Sequence, residues 1–198
     1  MSSSLRGRRR TLQALAAMTL MAGYGSQSSA QAPMYKTPVP SALMVERWRH
    51  SGDPGKFFDP HGDDLRHELW LASREDKKGL LVFFYSADNA YADLMKDSVL
   101  RNDEVHSYFK ARLRTIAIDR SSVNPLTNLR GLTLPESGVA AELGVSSSPT
   151  FVFFDLQGEP RYIHHGPIFS AAALISFARC MADGIFARAE VERSLRGG

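Results

Sequence analysis

Leu80-Leu81-Val82-Phe83-Phe84-Tyr85 is an unbroken run of six apolar residues rich in strand formers. A strand with one wet face alternates apolar and polar residues, whereas a continuous run needs cover on both faces. This segment therefore predicts the central strand of an α/β sheet. Its flanks agree. Upstream, Asp63 or Asp64 can cap a helix running to about Lys78, with Leu65, Leu69 and Ala72 on one face. Downstream, Asp88-Asn89 has helix-cap chemistry, with Asp88 expected as the cap.

The remaining chain continues the alternation. Tyr91 to Lys110 reads as one bent helix or two successive ones, Leu113 to Ile118 as a second strand, and Phe151 to Phe154 as a third. Gln157-Gly158 turns the chain into a fourth strand, Arg161 to His164, and Ser170 to about Ala189 is the closing helix. The stretch 121–137, with Asn124-Pro125, Gly131 and Pro135, is too long for an ordinary connection and is expected to be a functional insertion. A short helix follows over Gly138 to Leu143. This order predicts a mixed sheet of four to five strands with helices on both faces.

The N-terminus has a different character. Arg6, Arg8, Arg9 and Arg10 precede a short apolar run from Leu12 to Gly25, and Ala30-Gln31-Ala32 has small-x-small character. Residues 1–32 are thus expected to be a cleaved secretory signal peptide, too short to span a bilayer once its polar end is discounted. A retained anchor is the alternative, and Arg9-Arg10-Thr11-Leu12 carries part of a twin-arginine signal. Residues 33–62, rich in proline and glycine, are expected as an extended tether and loop, 63–190 as the folded domain, and 191–198 as a disordered tail. Removing four arginines and no acid takes the formal charge from +3 to −1. The basic character belongs to the export signal, so a nucleic-acid partner is excluded.

Cys180 is the chain's one cysteine. One thiol cannot form an internal disulfide, a Cys-x-x-Cys couple or a thiolate zinc cage. It lies in the apolar helical stripe Leu174, Ile175, Phe177, Ala178, Cys180, Met181, where a buried thiol acts as a small hydrophobe.

Three local patterns then resemble the thioredoxin-like superfamily, over roughly Leu65 to Phe186. Phe84-Tyr85-Ser86-Ala87-Asp88 leads from strand to helix and places Asn89-Ala90-Tyr91-Ala92 where the family carries Cys-x-x-Cys. Gly144-Val145-Ser146-Ser147-Ser148-Pro149-Thr150, ahead of an apolar strand, looks like the family's cis-proline loop. Gln157-Gly158-Glu159 and His165-Gly166 resemble its terminal hairpin and closing glycine. Ala140-Ala141-Glu142-Leu143-Gly144-Val145 after a long insertion is similar to periplasmic members.

The resemblance implies a thioredoxin fold and, given the cysteines replaced at Asn89 and Ala92, loss of dithiol chemistry. That chemistry needs a thiolate stabilised at the helix N-terminus and a second thiol to resolve the mixed disulfide. It also implies a groove for an extended protein or peptide partner, with Asn89, Ala90, Tyr91 and Ala92 on one lip. On the other, Ser148 beside Pro149 would offer its N–H and C=O to the bound strand. The expectation is a periplasmic, non-catalytic binding protein without cofactor. The alternatives are a groove left without ligand, a structural subunit, and a thiol oxidoreductase working through Cys180 or a partner's thiols. His61, Asp63, Asp64 and His67 are a weak metal candidate, being loop and cap residues, and the adjacent His164 and His165 face opposite ways on a strand. No metal site is expected.

Overall fold

A computed structural model describes residues 57–197. In chain order the elements are α1 (Leu65–Arg74), β1 (Leu80–Tyr85), α2 (Ala90–Asp97), a 3₁₀ turn (Val99–Arg101), α3 (Asp103–Arg112) and β2 (Arg114–Asp119). They continue with β3 (Pro125–Thr127), β4 (Thr133–Pro135), α4 (Glu136–Glu142), β5 (Thr150–Phe154), β6 (Pro160–His165), α5 (Ala171–Ala182) and α6 (Arg188–Arg196).

The main sheet has the order β2-β1-β5-β6, with β1 parallel to β2 and antiparallel to β5. All six residues of β1 are buried, as the sequence required of a central strand. Alternation along the strand explains this. Leu81, Phe83 and Tyr85 enter one core with Met95, Phe109, Phe151 and Phe177 from the α2, α3 and α5 side. Leu80, Val82 and Phe84 enter a second core with Leu65, Val139 and Ala140 from α1 and α4. The sheet is mixed and helices cover both faces.

Gly79 lets β1 start close against β5. A Cβ there would lie 2.3 Å from the Phe154 carbonyl oxygen and 2.6 Å from the Phe153 ring. Alanine at 79 would push the two strands apart.

Three boundaries differ from the sequence expectation. The folded domain begins before residue 63, because Phe57 and Phe58 are buried in the first core. The segment that follows them covers the outer edge of β2. The Asp59 N–H donates to Thr115 O at 2.6 Å, and the Thr115 N–H donates to the Asp59 carboxylate at 2.8 Å. Arg114 pins the same segment: its Nε donates to Glu68 at 2.8 Å and its Nη2 to Pro60 O at 2.7 Å. This satisfies an edge that would otherwise expose unpaired backbone groups. Residues 1–56, which include the expected signal peptide and most of the expected tether, lie outside the described residues.

The stretch 121–137 is itself structured. β3 and β4 pair as a small antiparallel ribbon, Leu126 is fully buried, and Thr127 bridges to Asp64. Asn128 closes the turn by accepting the N–H groups of Arg130 and Leu132 at 3.0 and 2.9 Å, and it donates to Glu142 at 2.8 Å. Finally, the expected tail over 191–198 is mostly helix. The closing helix stops at Ala182, and α6 packs back on α5 with Val191 fully buried. Burial of Val191 with half-buried Leu195 fixes a helix that its polar composition disguises.

Candidate functional site

β1 and β2 run parallel, and β5 runs against β1, so their connections meet at one end of the sheet. There the chain places Ser86–Tyr91, Arg120–Asn124, Ser146–Pro149 and His165–Phe169.

The first lip is the start of α2. Its N-cap is Asn89, not Asp88. Asn89 has extended backbone (φ −96°, ψ 105°) and its side-chain oxygen accepts from the Ala92 N–H at 3.0 Å. The cap must immediately precede the first helical residue, Ala90, and the turn closed by the Asn89 N–H on Ser86 O leaves Asp88 one position early and exposed. The amide of Asn89 thus takes a helix N-terminal donor itself. Ala92 is buried, Ala90 is exposed, and Tyr91 is 59% exposed.

The second lip is the loop before β5. The Ser148-Pro149 peptide bond is cis. Ser148 Oγ accepts from the Ser86 N–H at 2.9 Å, joining this loop directly to the first lip. Pro149 O accepts from the Gly166 N–H at 2.9 Å, and Gly166 adopts φ +100°, a conformation suited to glycine. Thr150 is fully buried and its hydroxyl donates to Ser147 O at 2.8 Å. The loop is held from both sides, yet the N–H and C=O of Ser148 take no hydrogen bond among the described residues.

Several residues of this end escaped the sequence reading. Phe169, 47% exposed, stands with its ring 6.4 Å from that of Tyr91, and Leu94 is 53% exposed one helical turn beyond Tyr91. The helical spacing signals Leu94; for Phe169 the signal is an aromatic residue in the short loop between Gly166 and α5. Lys96 is more unusual. It lies four residues after Ala92, on the buried face of α2, with Nζ 3.8 Å from the Tyr85 ring centroid and 3.8 Å from Asp93. Burial pushes its amine below the ordinary lysine range, against the opposing pull of Asp93, Asp119 and Asp97. The sequence carried that signal too, in the periodicity of Ala92, Met95, Lys96 and Val99.

Cys180 is buried within α5, about 14 Å along the helix from Ala171, which follows the groove-side loop. The metal candidates disperse into structural roles. His61 bonds Gly62 O and Ala117 O, Asp64 caps α1 and pairs with Arg66, and His67 stacks on Trp70. Among the described residues no cluster of three or more histidine, cysteine or acidic side chains is placed to hold a metal ion. Nor is any described helix long and apolar enough to cross a membrane.

No curated protein is significantly similar to this chain. Among solved structures, a thioredoxin-fold protein from Helicobacter pylori matches with a TM-score of 0.52 and 17% identity, covering 62% of this chain and 81% of that one. A structure of DsbH oxidoreductase matches with a TM-score of 0.50 and 14% identity, covering 75% and 94%. At these identities the likeness is one of fold. The thioredoxin-like domain family matches residues 65–179, more than half of the chain. With the strand order, the two lips and this match, the chain belongs to the thioredoxin-like domain family.

Proposed function

We propose that this chain is an exported, periplasmic thioredoxin-like protein that has kept the groove of its fold without the dithiol chemistry and binds extended protein segments there. The observation that carries the reading is the backbone of Ser148. Its N–H and C=O have no partner among the described residues, in a loop otherwise well held, at the same end of the sheet as the exposed Tyr91 and Phe169. A backbone pair of this kind takes an extended strand, and exposed aromatic and aliphatic side chains give that strand apolar contacts. Asn89 and Ala92 offer neither nucleophile nor resolving thiol. Export rests on the arginine-led N-terminus, and burial of Cys180 argues against its serving as a replacement thiol.

Two measurements on the full chain test this. Fluorescence anisotropy with end-blocked peptides of alternating valine and threonine should show binding, weakened at least about tenfold by the Tyr91→Ala/Phe169→Ala pair, which removes both exposed rings. Insulin-disulfide reduction with dithiothreitol should be at background for the native chain and above it for Asn89→Cys/Ala92→Cys. Absence of peptide binding, or disulfide reduction by the native chain, would sink the proposal.

A further inference from the structure

Arg120 directly follows β2 at this end of the sheet, its N–H donating to Tyr85 O at 2.8 Å. Its half-buried side chain lies along the second lip. Nη2 is 3.3 Å from Ser146 O and 3.5 Å from Val145 O, both long contacts, and the buried Nε has no partner among the described residues. No carboxylate among the described residues pairs with this guanidinium. The neighbouring Asp119 does not serve it, because its carboxylate accepts from the Ser121 N–H and hydroxyl at 2.9 and 2.6 Å. A cation with five donors is thus held by two weak contacts.

An under-satisfied guanidinium beside an open backbone pair calls for an anion on the same ligand. We propose that Arg120 forms a carboxylate subsite of the groove, selecting extended segments that carry an aspartate or glutamate side chain near the residue paired with Ser148. This rests on the binding reading above and names the segment's chemistry. Ser146, which the guanidinium touches, is two residues from Ser148, at most about 7 Å of chain, so the acidic side chain belongs within a residue or two of the paired one. A planar fork suits a carboxylate, which can take two N–H groups at once.

The test is fluorescence anisotropy on the full chain with end-blocked hexapeptides of valine and threonine that differ at one position: glutamate, glutamine or lysine. The glutamate peptide should bind about tenfold more tightly than the glutamine peptide, equivalent to about 1.4 kcal/mol. Arg120→Gln should erase that preference, and Arg120→Glu should transfer it to the lysine peptide. Equal binding of the glutamate and glutamine peptides, or a preference that survives Arg120→Gln, overturns the subsite and leaves the groove standing. Arg120→Gln and Arg120→Glu that weaken all three peptides alike, with no gain for lysine, show that the arginine only props the loop, and overturn it likewise. A glutamine hexapeptide with its α-carboxyl end left free, run beside them, overturns the side-chain assignment if it alone binds tightly. If no peptide binds at all, groove and subsite fall together.

Discussion

The first backbone N–H groups of a helix have no carbonyl partner within it. At α2 Asn89 supplies one from its side chain, where a redox member of the family would direct those donors at a sulfur. This makes residue 89 a stability residue. Asn89→Ala should lower stability by about 1 kcal/mol, whereas Asp88→Ala should stay within about 0.5 kcal/mol of the native chain. Urea unfolding with an unchanged slope checks both, and an equal loss for the two would return the cap to Asp88. The register of one residue matters: Asp88 has the right chemistry and the wrong position.

At the scale of elements, the domain owes its two ends to long-range cover. Phe57 to Gly62 seals the outer edge of β2 through Asp59 and Arg114, and α6 closes the far side against α5. Within α6, Val191 is fully buried while both its neighbours in sequence are polar. Val191→Asp places an unpaired charge in that contact and should cost about 3 kcal/mol. Hydrogen exchange should show amides of Arg188–Arg196 losing protection while those of β1 keep theirs. Retained protection across α6 would mean that the helix does not depend on this contact.

Across the whole molecule, acid is the condition that tests the packing. Burial against the Phe177 ring, then His165 and Arg188, depresses the His164 pKa below its ordinary 6.5, with Glu192 opposing. Between the depressed folded value and 6.5 the unfolded chain binds more protons than the folded one, so stability falls as the pH drops through that window. Asp64 adds a second step. Burial alone would raise its pKa, but the hydrogen bonds from Arg66 outweigh it and hold the carboxyl below its ordinary 3.8. Its contribution is present above that value and is lost as pH falls through the folded one. Thermal melts from pH 8 to 3 should therefore show two losses, the upper one absent in His164→Gln and the lower one reduced in Asp64→Asn. A His164→Gln profile that overlays the native one would remove His164 as the cause.

The layered α/β architecture was legible because it is written in local periodicity. Six apolar residues at 80–85 demand two covered faces, and caps and glycines mark where helices begin and strands turn. The cysteine count is equally a property of the sequence: one thiol cannot make an internal pair. Two segments of the candidate site were legible as well, since Asn89–Ala92 and Ser148-Pro149 sit in recognisable local patterns. What joins them was not. Ser86 and Ser148 meet across 62 positions, and Tyr91 reaches Phe169 from another element altogether. Arg120 became a candidate only when the sheet set its guanidinium beside Ser146 and left it without a carboxylate among the described residues. Local sequence sets each element's own faces and ends, through backbone sterics and side-chain periodicity. Which unsatisfied groups come together at one end of the sheet is decided by strand order and helix packing, which appear only once the chain has closed on itself.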